Sequence, residues 1–338
     1  MPKIPLIDVK GTYYDLGFQI GSALKSRIKK TIKIPAKVAK DNQFFKMDYF
    51  IKAAQKYFPY ANKYFPQYVT ELKGIADGSD QDFDMIWLLN AEEVLVDMYF
   101  EKCTSILLKE NNKSSLFHNE DFEASFIDNL AVIRAEVNHT VKFLSFSFAG
   151  MLPGSSVSLN SFGLVQGINS LHPRETRIGV PKNFISRAIL EVDSIKGALK
   201  IIKNKERASA YNHILIQNNE AVDIETTAND YKVLKVKENV FVHTNHYLSK
   251  LSKFGEKPLR SEMRYNKAME VLRNNPINQK AVLSILSNHE NQFPICHHKT
   301  KLDSDVTLAS FIIDCKNLTM QVTNGNPCKN KYETYSLN

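Results

Sequence analysis

The chain has little cysteine: Cys103, Cys296, Cys315 and Cys328 are its only four in 338 residues. With no export signal beside them, they read as reduced thiols rather than a disulfide framework. The start MPKIPLIDVKG lacks the basic-then-apolar pattern of a signal peptide, and no run approaches the roughly 18 apolar residues of a membrane span. A cytoplasmic protein with no membrane attachment is expected. No Pro/Gly/Ser-rich linker or low-complexity tract divides residues 1–338, which therefore read as one domain. Walker-type and GxGxxG loops are missing, so no nucleotide cofactor, and no other cofactor, is expected. His289, Cys296, His297 and His298 have soft ligand chemistry, but H-x6-C-H-H matches no common zinc spacing, and no metal is expected there.

What is present is the composition of an ordinary globular protein, 43% hydrophobic and 24% charged. The net charge of +8 is spread over groups such as Arg27, Lys29 and Lys30, or Lys200, Lys203 and Lys205, which look like solvated helix faces. With no zinc-finger spacing, RNP-type strand or basic block, nucleic acid is not an expected partner.

Residues 4–9 read as a strand, and Thr12-x-x-Asp15 as the cap of a helix with Leu16, Ile20, Leu24 and Ile28 on one face. Residues 44–68 are dense in Phe and Tyr and are broken by Pro59 and Pro66 into short helices. That aromatic stripe suits core packing, and part of it also suits an apolar pocket wall. Ser79 and Asp80 look like the cap of a helix through Trp87, Leu88 and Val94. Residues 1–102 are thus mostly helical.

Past Cys103 the period changes to two. Leu144, Phe146 and Phe148 alternate with Ser145 and Ser147 as a half-buried strand, and residues 157–169 give a strand, turn and strand around Asn160-Ser161-Phe162-Gly163. Pro181 and Ser194 each open a helix. Strands return at 212–217, 221–226, 231–236 and 240–244, helices at 261–272 and 279–287, and two last strands at 307–314 and 319–323. This order fits a layered α+β sandwich with antiparallel sheets between helices.

Residues 103–122, CTSILLKENNKSSLFHNEDF, read as a β-hairpin about the polar turn Asn111-Asn112-Lys113-Ser114. Its second strand ends in His118-Asn119-Glu120-Asp121, which the pairing returns to the neighbourhood of Cys103. A thiol and a carboxylate then share a site. A buried cysteine and a solvated strand end fit the two residues better when each is taken singly.

Several short motifs, in a shared order, resemble the acyl-coenzyme A:6-aminopenicillanic acid acyltransferase family of N-terminal-nucleophile hydrolases, related to choloylglycine hydrolases and penicillin V acylases. They are Tyr14-Asp15-Leu16-Gly17 with Gly21, Cys103-Thr104-Ser105, His118-Asn119-Glu120-Asp121, and Asn160-Ser161-Phe162-Gly163-Leu164 ending in Ile168-Asn169. Asp223-Ile224-Glu225-Thr226, Thr244-Asn245-His246, Ser261-x-x-Arg264-Tyr265 and Cys296 before His297-His298 continue the series. The resemblance implies a four-layer αββα sandwich. It also implies self-cleavage between Lys102 and Cys103, leaving a 1–102 segment beside a 103–338 catalytic core.

The freed α-amine would then serve as the base of its own residue. An α-amine titrates near ~7.7–8 and a thiol near about 8.5, so neither needs much perturbation at neutral pH. The resemblance gives Asp121 the amine and the orientation of Cys103, Asn245 a side-chain donor to the oxyanion, and Asn169 a backbone donor. Arg264 matches an arginine near the nucleophile. His118, standing where some relatives carry arginine, is assigned with Asn119 and Thr104 to the substrate wall. Taken singly, Asn169 and Asn245 suit turns, Asp121 suits a strand end, and Arg264 suits a helix salt bridge. Lys102 departs from the small residue relatives often carry before the nucleophile.

The expected activity is cleavage of an N-acyl amide or short peptide, or transfer of its acyl group, through a Cys103 thioester. The competing expectation is a silent protein that binds a lipid or peptide in an apolar pocket. Homo-oligomerisation is left open by the sequence.

Overall fold

The computed structural model describes residues 3–35, 46–94, 102–111, 113–290, 292–300 and 304–338. Strand β1 (Leu6–Gly11) leads into α1 (Tyr13–Thr31). Thr12 accepts from the Asp15 backbone N–H while the Asp15 carboxylate accepts from Thr12 N–H at 2.9 Å, a reciprocal capping box. Leu16, Ile20, Leu24 and Ile28 are all buried, as their spacing requires. Helices α2 (Met47–Gln55), α3 (Phe58–Tyr64) and α4 (Pro66–Ser79) follow, with Pro59 and Pro66 in the first turns of α3 and α4, where the missing N–H is harmless. The expected cap at Ser79 and Asp80 is corrected. Ser79 ends α4, Asp80 is its left-handed cap at φ 55°, and α5 (Phe83–Asn90) starts from Asp82, whose side chain accepts from Asp84 N–H.

α1 and α4 approach unusually closely. A Cβ on Gly17 would stand 1.9 Å from Glu71 O, and one on Gly74 would stand 2.3 Å from Tyr14 O. Any side chain at either position would push the two helices apart.

Two sheets form the centre. One runs in the order β1, β4 (Leu130–Val137), β5 (Val141–Phe148), β6 (Ser158–Asn160), β7 (Val165–Ser170), β8 (Tyr211–Gln217), β9 (Glu220–Thr226), β10 (Tyr231–Lys235). The other runs β11 (Val240–His243), β2 (Lys102–Glu110), β3 (Lys113–Glu123), β12 (Asp305–Asp314), β13 (Thr319–Val322), β14 (Glu333–Ser336). Among the named strands of the described residues all pairings are antiparallel except β1 with β4, a departure from the expected all-antiparallel sheets. β4 and β14 were not foreseen. From Phe143 to Phe148 the β5 strand is buried on both faces, Ser145 and Ser147 included, so that stretch is not half-buried.

Helices α6 (Lys182–Ile189) and α7 (Ile195–Ile202) join α1–α5 over the eight-stranded sheet, and α8 (Leu259–Asn274) and α9 (Gln279–Leu286) cover the six-stranded one. The result is a four-layer αββα sandwich. Strand alternation sorts its cores. Leu107, Leu116 and Phe311 meet Leu144, Phe146 and Val165 between the sheets. Ile106, Leu108 and Phe117 face outward onto Ala268, Leu272 and Val282 of α8 and α9. Phe50, Tyr57 and Tyr68 pack with Trp87 and Phe184 on the far side of the larger sheet. Most of the aromatic stripe's described part is therefore core, with Tyr49 and Tyr64 exposed; Phe44 and Phe45 lie outside the described residues. Among the described residues no helix is long and apolar enough to cross a membrane.

Candidate active site

The β2–β3 hairpin pairs Glu110 with Lys113 and, further back, Lys102 with Asp121, Cys103 with Glu120, Thr104 with Asn119 and Ser105 with His118. The His118–Asp121 cluster is interior to β3, which continues to Glu123. Because Leu107 and Leu116 face inward, alternation turns Cys103, Ser105, His118 and Glu120 inward too, and turns Lys102, Thr104, Asn119 and Asp121 outward. The carboxyl that meets the thiol is accordingly Glu120, with Cys103 Sγ 3.7 Å from Glu120 Oε1. Asp121 lies on the opposite face, which corrects the expectation that it shares the thiol's site.

On the inner face a buried polar chain runs from the thiol. Ser156 Oγ donates to Glu120 Oε2, His118 Nε2 lies 3.1 Å from the same oxygen, and His118 Nδ1 is 2.8 Å from Ser105 Oγ. Ser105 Oγ is in turn 2.8 Å from Asn169 Oδ1. Burial pushes the Glu120 carboxyl up to about 7, against the lowering pull of Ser156 and the Lys182 ammonium. Burial also holds His118 down to about 3, so its ring carries one proton at neutral pH. With Glu120 ionised, that proton belongs on Nε2, and Nδ1 accepts from Ser105. With Glu120 protonated, the chain reverses and Ser105 donates to Asn169.

Lys182 opens α6, and its ammonium lies 3.0 Å from Glu92 Oε1. Tyr211 Oη donates to Glu92 at 2.7 Å, while Glu93 Oε1 accepts from Lys182 N–H at 2.7 Å and from Ser209 Oγ at 2.9 Å. These contacts fix the turn Glu92–Val94, the last described stretch before β2. Residues 95–101, which lead into Lys102, lie outside the described residues.

On the outer face Arg264, on α8, is 1% exposed and aims its guanidinium at the strand start. Arg264 Nη1 donates to Cys103 O at 2.6 Å and to Thr104 Oγ1 at 2.8 Å, and Nη2 donates to Asn245 Oδ1 at 2.6 Å. Asn245 Oδ1 also accepts from Cys103 N–H at 2.9 Å, and its Nδ2 donates to Ser170 O at 3.0 Å. Asn245 is held there by its own turn. Its N–H donates to Ser261 Oγ at 2.7 Å, and Glu225 accepts from His243 Nε2 at 3.1 Å and from Ser249 N–H at 3.0 Å. The backbone N–H and C=O of Cys103 are thereby both held from the outer face.

Asp121 Oδ1 accepts from Thr307 Oγ1 at 2.5 Å, at the point where β12 bulges between Thr307 and Ala309. Burial pushes Asp121 up to about 7, opposed by Arg264 and Thr307. Lys102 forms an ion pair with Asp305, the residue that opens β12. Lys102, His172, Asn245, Leu259, Arg264 and Phe293 line a cavity of about 320 Å³ on this face.

His118, Asn119 and Thr104, expected on the substrate wall, do not line that cavity. All three are fully buried: His118 sits in the inner chain, Thr104 accepts from Arg264, and Asn119 Nδ2 donates to Leu286 O and Ile295 O, tying β3 to the end of α9. The Asn169 side chain accepts from Ser105 on the inner face, while the next residue, Ser170, accepts from Asn245 Nδ2. The sequence reading missed Glu120, Ser156, Lys182 and the Glu92–Val94 turn as parts of the site. Only Glu120 had a signal, the register set by the length of the Asn111 turn.

The family model described as acyl-coenzyme A:6-aminopenicillanic acid acyltransferase matches residues 108–329. The chain belongs to this acyltransferase family. Its match starts past Cys103 but takes in Glu120, Asp121, Asn169, Asn245 and Arg264. Among curated relatives, the chain is 28% identical over 224 residues to a β-alanyl-dopamine/carcinine hydrolase from Drosophila melanogaster, a match that takes in 60% of this chain. That match spans 57% of the fruit-fly protein's length, little more than half. The chain is also 25% identical over 347 residues to an acyl-coenzyme A:6-aminopenicillanic-acid acyltransferase from Emericella nidulans, covering 98% of this chain and 95% of that one. Among solved structures, a variant of the conjugated bile acid hydrolase from Clostridium perfringens aligns with a TM-score of 0.49 at 14% identity, over 70% of this chain and 97% of the other.

Proposed function

We propose that this member of the acyltransferase family is a self-processing enzyme that cleaves, or transfers the acyl group of, N-acyl amides through a thioester on Cys103. The observation that carries the reading is the Cys103 thiol against the buried Glu120 carboxyl, with its own peptide N–H and C=O held by Asn245 and Arg264.

In the first step Glu120 takes the Sγ proton and the thiolate attacks the Lys102 carbonyl carbon. The Lys102–Cys103 C–N bond breaks, the departing nitrogen gains a proton, and Lys102 is left as a thioester. Water then hydrolyses that thioester, releasing the Lys102 carboxylate and a free thiol on a new N-terminus. In turnover the α-amine serves as base, the substrate amine leaves with a proton, and water or an amine takes the acyl group. Asp121, beside Lys102 in the ladder, is assigned to the new α-amine, and Glu120 to the thiol. Arg264 and Asn245 hold the strand start while the bond breaks, and Asn245 Nδ2 becomes an oxyanion donor once it leaves Ser170. The relatives named as a hydrolase and as an acyltransferase support carbon–nitrogen chemistry on a small acylated substrate.

Denaturing mass spectrometry of the purified protein tests this. Two chains that part between residues 102 and 103, with a single chain for Cys103→Ala, are expected. A single intact chain in a fully active preparation would overturn the reading.

A further inference from the structure

Four soft side chains that the reaction does not use meet where the segment after α9 touches the C-terminal stretch. The free thiols of Cys296 and Cys328 place their sulfurs 3.6 Å apart. His298 Nε2 lies 3.2 Å from Cys328 Sγ and 3.8 Å from Cys296 Sγ. His289 stands beside them: its ring centroid is 5.2 Å from that of His298, and its ligand nitrogen lies within 4.8 Å of the donor atoms of His298 and Cys328.

These separations can be set against a metal's demands. Zinc–sulfur bonds of about 2.3 Å and zinc–nitrogen bonds of about 2.0–2.1 Å, arranged tetrahedrally, require sulfur–sulfur edges of about 3.8 Å and sulfur–nitrogen edges of about 3.5 Å. The three edges among Cys296, Cys328 and His298 fall close to these, and His289, within 4.8 Å of His298 and Cys328, would draw in toward Cys296 to close the tetrahedron. The surrounding hydrogen bonds agree. His289 Nδ1 lies 3.0 Å from Ser287 O, which fixes the proton on Nδ1 and leaves the Nε2 lone pair for a ligand role. Asn326 Nδ2 donates to Cys296 Sγ at 3.3 Å, a bond that favours the thiolate over the thiol.

We propose that Cys296, Cys328, His298 and His289 bind one zinc ion. On binding, each thiol releases its proton, and the two thiolates neutralise the dication while the two imidazoles enter neutral. With four protein ligands the sphere is closed, so the ion is structural and offers no open position for substrate. The chain order hides the site because the fourth ligand, Cys328, arrives from a distant segment and His297, between two ligands, turns away. His297 Nε2 instead lies 4.0 Å from Asp121 Oδ2, and His297 N–H donates to Thr307 Oγ1 at 2.8 Å. The ion would therefore pin the two residues flanking His297 and steady the Asp121 side of the candidate site from a distance.

The full chain, expressed with zinc in the medium and dialysed exhaustively, should carry one zinc per chain by plasma mass spectrometry. Cobalt exchanged into it should give visible bands of tetrahedral thiolate coordination. Cys328→Ser should lose the ion, and Asn326→Ala, which touches a sulfur without being a ligand, should weaken retention by about tenfold. Cys103→Ala should keep its zinc, which separates this test from that of the proposed activity. The wild-type cobalt spectrum decides the matter if the serine variant does not fold. Metal-free wild type without cobalt bands, full zinc retention in Cys296→Ser/Cys328→Ser, or a non-reduced mass showing a Cys296–Cys328 disulfide would overturn the proposal.

Discussion

Cys103 and Glu120 face each other across the β2–β3 ladder, thiol sulfur 3.7 Å from carboxyl oxygen, on the inner side of the sheet. This pair makes the chemistry of the strand start depend on one buried proton.

The proposed self-cleavage should slow as pH falls below about 7, because in that step Glu120 can accept the thiol proton only when ionised. The same carboxyl has a stability signature. Its folded value of about 7 lies above the ordinary 4.5, so the folded state keeps a proton that the unfolded state loses between those values. Stability should fall as pH rises through that window. Asp121, Glu93 and Asp223, also pushed up to about 7 by burial, contribute falls of the same sign, so Glu120→Gln should make the fall shallower without removing it and raise the melting temperature at pH 8, while slowing processing. Melting curves at pH 5 and pH 8, with a processing time course, check both. A Gln variant that processes at the wild-type rate would remove Glu120 from the step.

Asn245 presents two different ends. Asn245→Asp keeps the oxygen that accepts from Cys103 N–H and Arg264, and loses the NH2 donor. It should process normally and lose turnover by ~10²- to 10³-fold, whereas Asn245→Ala should be impaired in both. Equal turnover of Asp and wild type would show that the amide donor plays no part.

Gly17→Ala should destabilise the protein by about 1–3 kcal/mol, since its Cβ would overlap the Glu71 carbonyl and force α1 and α4 apart. Denaturant unfolding measures it, and an unchanged midpoint would contradict the close approach.

Arg187 on α6 is fully buried and pairs with Glu71 at 2.9 Å and Glu191 at 2.7 Å. Arg187→Met strands the buried Glu71 carboxylate and should cost about 3–5 kcal/mol. Adding Glu71→Leu should recover much of that loss. Unfolding of both variants by denaturant tests the coupling.

The parts of the molecule legible in the sequence were those written in local chemistry. Thr12 and Asp15 encode a capping box, Ser194 caps α7 by accepting from Gly197 N–H, and the β6–β7 turn needs Gly163 at φ 75°. The identity of the carboxyl at the thiol was not local in this sense. Read as a four-residue turn, Asn111 to Ser114 leaves the register undetermined, and only the Glu110–Lys113 pairing, with Asn111 at φ 51°, puts Glu120 rather than Asp121 opposite Cys103. In its described part the aromatic stripe lies on helices α2–α4 over the larger sheet, while Cys103 lies in β2 of the smaller one, and nothing local in the chain reports that separation. Glu92, Lys182 and Ser156 reach the thiol's side only through tertiary packing, which no spacing in the chain reports.

The pairing of β1 with β4 bears on what a cut before Cys103 would create. β1 is the edge strand of the eight-stranded sheet and β4 lies next to it, on the other side of residue 102. The two products would share one continuous sheet, so neither could leave without exposing an open strand edge and the apolar floor beneath α1. What folds as one chain would then persist as an obligate heterodimer, and its resistance to unfolding would become subject to mass action, falling on dilution as that of the uncut precursor does not.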